Sequence, residues 1–115
     1  GTSTRWQPWS EPQVAALTAS GQPVFVDFTA AWCVTCQVNK KTTLSNSGVL
    51  ADFDSRKVAL LRADWTRRDP AITAALAALG RNGVPVYVLY RPGQTPLVMT
   101  EILTPGEVRA ALATL

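Results

Sequence analysis

The chain has 115 residues, 47% of them hydrophobic, with a formal net charge of +3. That length suits one compact domain and that hydrophobic share can build a core, which excludes a disordered tail. The basic residues are scattered without interleaved aromatics, which argues against a nucleic-acid surface; no apolar run is long enough to cross a bilayer; and the absence of histidine removes Ser-His and Cys-His catalysis along with the commonest zinc ligand.

The chain is expected to form a single domain over residues 1–115, with residues 1–9 as an N-terminal extension. The first residue is Gly rather than Met, and residues 1–10 contain no apolar h-region, so the sequence reads as cut from something longer. Ser10 is placed to cap a helix, with Gln13 three residues on as in a capping box. Val14 and Leu17, with Trp9, share its apolar face, and Gly21 stops it. Pro23 opens the run Val24-Phe25-Val26-Asp27-Phe28, which is apolar on both parities, as in a strand covered on both faces. A helical pattern follows from Cys33 to about Leu44, and Asn46 is placed to cap a short helix with Val49, Leu50 and Phe53. Residues Val58 to Asp64 read as a second strand. Asp69 caps a helix with Pro70 at its first position, Ile72, Leu76 and Leu79 along its stripe, and Gly80 at its end. Residues Val84 to Tyr90 form a third strand, and Leu97 to Leu103 pair with it across the turn Arg91-Pro92-Gly93-Gln94. Thr104, Pro105 and Glu107 open the last helix. A helical crossover makes the first two strands parallel, and the short turn makes the last two antiparallel.

Both cysteines, Cys33 and Cys36, lie in “FVDFTAAWCVTCQVNKK”. Their spacing fits a redox couple, half of a zinc site or a structural staple. A structural zinc site takes about four protein ligands, and two thiolates without histidine fall short of that. A disulfide closing so short a loop removes little unfolded-state entropy. The redox reading has a positive case. Cys33 starts a helix, where unpaired N–H groups and the dipole favour a thiolate, while Cys36 lies one turn deeper. An accessible thiolate that attacks and an interior thiol that resolves is the division of labour exchange needs.

Three neighbours bear on that chemistry. Asp27 lies inside an apolar strand, where burial raises a carboxyl pKa and fits it to move the proton of Cys36. Its alternative is a structural carboxylate satisfied locally or by Arg62 of the next strand. Gly83-Val84-Pro85 precedes the third strand; a proline is sterically allowed there, and a cis Val84–Pro85 bond would pack beside the disulfide. Trp32 is either core filling or an apolar wall that shields the thiols and touches a partner.

The stretches “VFVDFTAAWCVTC”, “RADWT” and “GVPVYVLY” together resemble a thioredoxin-fold protein over nearly the whole chain. With “WQPWS”, “FTAAWCVTCQVNK” and “ADWT” the chain is similar, more closely, to the C-terminal periplasmic domain of the thiol:disulfide interchange protein DsbD group, including its ScsB type. The resemblance implies an α/β, thioredoxin-like fold with a central mixed four-stranded sheet flanked by helices. It implies a protein-disulfide reductase in which Cys33 is the nucleophile, Cys36 the resolving thiol, Asp27 the buried carboxylate and Pro85 the cis proline. The backbone of Val84 would pair with the partner segment. Electrons would pass from a membrane-embedded domain through this one to an N-terminal immunoglobulin-like domain, and from there to periplasmic disulfide-bearing proteins. The domain would be a monomer on the periplasmic side of a bacterial inner membrane, serving pathways such as cytochrome c biogenesis. No cofactor is expected, since the Cys33–Cys36 disulfide carries the electrons itself.

Two positions depart from the group. Lys40 stands where these domains often carry an acidic residue; it shares a helical face with Cys36, and a cation there favours thiolates. Thioredoxins carry a lysine facing the buried aspartate from the next strand, a position aligned here with Leu60. The alternatives to the relay are a free-standing periplasmic thioredoxin-like reductase, a redox-inert binding module, and an oxidase or isomerase on the same fold.

Overall fold

The computed structural model describes residues 5–115. Ten elements follow in chain order: β1 (Trp6–Pro8), α1 (Glu11–Ala19), β2 (Val24–Thr29), α2 (Val34–Thr42), α3 (Ser47–Ser55), β3 (Ala59–Asp64), α4 (Pro70–Ala78), β4 (Val86–Tyr90), β5 (Leu97–Val98) and α5 (Pro105–Leu112). They form one sheet of order β1-β3-β2-β4-β5. β3 is parallel to both β1 and β2, and β4 is antiparallel to both β2 and β5.

Every residue of β2 is buried, as its unbroken apolar run requires of a central strand. Its two parities define the two layers of the core. Phe25 packs with Leu60, Tyr87 and Leu89 of the sheet and with Val49, Phe53, Val108 and Leu112 of α3 and α5. Val24, Val26 and Phe28 face the other way, against Val14, Ile72 and Leu76 of α1 and α4. Asp27 and Thr29 share the Phe25 parity, so they lie on the α3/α5 face.

The helix ends follow local chemistry. The side chains of Ser10, Asn46, Asp69 and Thr104 accept the N–H groups of Gln13, Val49, Ile72 and Glu107 respectively. Only half of the second capping box forms: the Glu107 carboxylate takes the N–H and hydroxyl of Thr100 instead. Gly80 takes φ +74 just beyond α4, a conformation that suits glycine.

Three sequence expectations are corrected. The sheet has five strands, not four, because part of the expected extension, Trp6–Pro8, pairs with the outer edge of β3; residues 1–4 lie outside the described residues. Trp6 packs edge-on against Phe25 at 6.2 Å, and the Arg62 guanidinium lies 4.2 Å over its ring. The hairpin partner expected to run to Leu103 stops at Val98. Beyond it a side chain replaces the ladder: Asn39 of α2 donates to Glu101 O and Tyr87 Oη, both at 2.8 Å, and accepts from Leu103 N–H at 3.3 Å. Finally, Leu60 is in register with Phe25, and the residue facing Asp27 from β3 is Arg62.

Asn39 is 2% exposed, so its amide is a buried bracket tying α2 to the chain after β5. Asn39→Ala leaves the Leu103 N–H and the Glu101 carbonyl without this partner. It is expected to lower stability by about 1–3 kcal/mol in denaturant melts.

Candidate active site

The strand-to-helix junction after β2 builds the site. Residues 30–33 turn out of the sheet and present Cys33 as the N-cap of α2, with extended backbone (φ −90, ψ 108). Cys33 and Cys36 are joined by a disulfide with Cα atoms 5.2 Å apart. The Cys36 N–H donates to Cys33 Sγ at 3.1 Å, so the sulfur sits where a helix N-terminus directs its free donors. Cys33 keeps 7% exposure and Cys36 none, which makes Cys33 the sulfur open to attack. Ala30 and Val84 pack against the pair. The Val84–Pro85 peptide bond is cis, and Pro85 is buried. Among the described residues, no group of three His, Cys, Asp or Glu side chains could hold a metal ion, and no helix is long and apolar enough to cross a membrane.

Asp27 lies on the sheet face covered by α2. Cys36 and Lys40 are one turn apart on that helix, and the Lys40 ammonium is close enough to interact with the Asp27 carboxylate. The carboxyl is divided in its loyalties. Oδ2 accepts from Arg62 Nε–H at 2.9 Å, whereas Oδ1 is buried without a partner. Burial is the dominant influence and pushes the Asp27 pKa up; Arg62 and then Lys40 oppose it. The direction follows from the unpartnered oxygen, which holds charge poorly away from water. Tyr87, in register with Asp27 on β4, is also buried beside that carboxylate, and its hydroxyl pKa is pushed up. It therefore stays neutral, and its oxygen accepts from the Asn39 amide at 2.8 Å.

The two cations that oppose burial at Asp27, Arg62 and Lys40, line a cleft of about 260 Å³ together with Thr29, Ala30, Ala31, Gln37, Asp64 and Thr66. Lys40 is half-buried at its side rather than free in solvent. Burial lowers its pKa and Asp27 opposes that shift. Lys40→Glu exchanges an attractive charge for a repulsive one near both the carboxylate and the thiols. It is expected to raise the Cys33 pKa, and only modestly, since the lysine is partly solvated. Rates of iodoacetamide labelling across pH would show the curve moving to higher pH; a curve that does not move removes Lys40 from the site.

Trp32 is not core filling: it is 49% exposed. Its indole N–H donates to Thr66 O at 3.1 Å, and the Thr66 hydroxyl accepts from Ala31 N–H at 2.8 Å. Thr66 in turn donates through N–H and hydroxyl to Asp64, whose pKa these bonds lower. The loop after β3 thus braces the loop that carries the disulfide. Sequence reasoning missed this brace, because it joins residues 34 and 35 apart in the chain. It also left Arg62 as an alternative partner for Asp27; the visible signal was a lone cation interrupting the apolar β3.

Residues 5–92 match the thioredoxin-like family. The chain is 29% identical over 115 residues to the thiol:disulfide interchange protein DsbD 1 of Pseudomonas aeruginosa, covering 96% of this chain and 19% of that protein. It is 37% identical over 83 residues to DsbD of Escherichia coli, covering 70% and 14%. The chain thus spans about a fifth or less of the length of these relatives. In structure it is similar to the reduced C-terminal domain of Neisseria meningitidis DsbD, with a TM-score of 0.72, 22% identity and 87% of each chain covered. A thioredoxin from Thermus thermophilus gives a TM-score of 0.72 at 23% identity, over 96% of this chain and 85% of that one. With a mixed sheet flanked by helices, a disulfide at the head of α2 and a family match across most of its length, the chain belongs to the thioredoxin-like family.

Proposed function

We propose that this domain is a protein-disulfide reductase of a DsbD-like relay, taking electrons from a membrane-embedded domain and passing them to a periplasmic partner domain. The observation that carries the reading is the Cys33–Cys36 disulfide at the N-cap of α2, with one sulfur open and the other sealed. The likeness to DsbD proteins supports the assignment of partners: the N-terminal immunoglobulin-like and transmembrane domains of the same protein, in the periplasm at the inner membrane.

The exchange proceeds in two displacements. The Cys33 thiolate attacks one sulfur of the partner disulfide, forming a mixed disulfide and releasing the other partner sulfur as a thiolate, which takes up a proton. Cys36 then gives its proton to the Asp27 carboxylate and attacks Cys33 Sγ. The Cys33–Cys36 bond closes, the mixed bond breaks, and the second partner sulfur leaves as a thiol after protonation. Two electrons have moved to the partner, and a dithiol of the membrane domain restores Cys33 and Cys36. The cysteines are the only redox groups this cycle requires. The exposed Trp32 and the backbone of Val84 beside Pro85 supply the surface on which a partner strand would lie.

Equilibration of the domain with a glutathione series tests the direction of flow. The expected reduction potential lies nearer the roughly −270 mV of thioredoxin than the roughly −120 mV of DsbA. A value close to the latter would make the domain an oxidant. No exchange with any disulfide would make it a redox-inert binding module.

A further inference from the structure

Arg68 occupies an unusual place beside the disulfide. Its backbone is left-handed at φ 54, a conformation uncommon for a residue other than glycine, and its N–H donates to Trp65 O at 2.9 Å. This tight turn brings the guanidinium back over two indoles, 5.1 Å from the Trp32 ring centre and 4.9 Å from that of Trp65. The two rings themselves lie 6.0 Å apart. Both are held: Trp32 by Thr66 O, and Trp65 by its indole N–H donating to Thr73 Oγ1 at 2.8 Å. The cation therefore rests on a held aromatic platform although the residue is exposed.

Among the described residues its charge has no ion-pair partner. The ion pairs of the described residues join Arg5 to Asp54, Arg62 to Asp27 and Arg109 to Asp52. The nearest acid in sequence, Asp69, uses its carboxylate to cap α4 through Ala71 and Ile72. Asp64 is bonded to Thr66. A guanidinium drawn to aromatic faces spends none of its N–H donors on a carboxylate there, and those donors form the fork that can bind one through two parallel bonds. Trp32 is the residue directly before Cys33, so this fork stands at the rim of the surface from which the disulfide is approached.

We propose that Arg68 is a specificity-determining residue that reads a carboxylate on the partner next to its disulfide, so that the domain favours partners whose cystine is flanked by acidic residues. The proposal rests on the reductase reading above and adds the chemical class of its partner. Trp32 and Trp65 are the platform, and Arg68 is the recognition element. The neighbouring Arg67 makes no ring contact and serves as an internal control for general charge attraction.

The test uses three cyclic peptide disulfides, identical except for flanking aspartates, asparagines or lysines. The readout is kcat/KM for their reduction by the reduced domain at low and high salt. The wild type is expected to favour the aspartate over the asparagine peptide by about fivefold at low salt, the upper range for an exposed charge pair. High salt should shrink that preference. Arg68→Gln should bring the ratio to within about twofold of unity, Arg68→Lys should retain part of it, and Arg67→Gln should leave it near the wild-type value. Melts of each variant confirm folding. Equal rates on all three peptides by the wild type overturn the proposal while leaving the reductase reading intact. Equal losses of preference in Arg67→Gln and Arg68→Gln also overturn it, because a diffuse field would then suffice. Failure of the wild type to reduce even the asparagine peptide overturns the reductase reading and this one with it.

Discussion

Cys33→Ala is expected to reduce exchange to the background rate, and Cys36→Ala to capture the partner as a stable mixed disulfide. The two sulfurs differ in surroundings, and the asymmetry comes from the backbone. Cys33 is the N-cap of α2, and its sulfur accepts the Cys36 N–H at 3.1 Å. A thiolate at that position gains from the same donor and from the positive end of a nine-residue helix. Cys36, at zero exposure, pays for burial whenever it ionises and gains no such donor. Attack therefore begins at Cys33, and only an internal partner can reach the bond it forms. Without Cys36 that bond has no intramolecular resolver, so the intermediate accumulates; without Cys33 it never forms. Non-reducing gels with an oxidised partner domain would show the adduct for Cys36→Ala alone. Limiting iodoacetamide on the reduced wild type should label Cys33 first, and labelling of Cys36 first would reverse the assignment.

The parts of this site that were legible in the sequence are those decided by neighbours in the chain. Ser10, Asn46, Asp69 and Thr104 cap helices because a side-chain oxygen can reach an N–H three residues on, and that relation survives any tertiary context. The double-parity apolar run of β2 likewise announced a strand covered on both sides, and the Cys33–Cys36 spacing announced a helix-start pair. What was not legible depends on register or on contacts between distant segments. Leu60 and Arg62 have the same parity on β3, so hydrophobic alternation cannot decide which one faces Asp27; the pairing of Val24 with Ala59 decides it. β1 is three residues long and mostly exposed, too short for any period, and it exists because β3 offers an unpaired edge and Arg62 offers Trp6 a cation. Asn39 carried a faint signal, an uncharged polar residue one turn after Cys36 on a buried helical face. Its partners at Tyr87, Glu101 and Leu103 appear only when the chain closes on itself.

Asp27→Asn is expected to slow the resolving step by about a hundredfold, the lower range for loss of a general base, and to flatten the dependence of stability on pH between acid and neutral conditions. The kinetic claim rests on position: Asp27 lies under the α2 face that carries Cys36 and Lys40, and an amide cannot take the proton that Cys36 must lose. The stability claim follows from the direction of its pKa. Burial raises it above the unfolded value, outweighing Arg62 and Lys40. The folded chain therefore holds this proton at a pH where the unfolded chain has released it. Between the unfolded and folded pKa values the native state binds more protons, and stability falls as pH rises; below the unfolded value the full contribution is present, and above the folded value the loss is complete. Arg62→Gln removes the cation that opposes burial, so the falling limb should extend to higher pH, and the onset of rapid resolution should move in the same direction. Adding Asp27→Asn to that variant should abolish the extension, because Arg62 acts here through the carboxylate it bonds. Denaturant melts from acid to neutral pH, paired with stopped-flow decay of the mixed disulfide, measure both quantities on the same proteins. A pH-independent difference between wild type and Asp27→Asn in the melts, with unchanged resolution rates, would leave Asp27 as no more than the structural partner of Arg62.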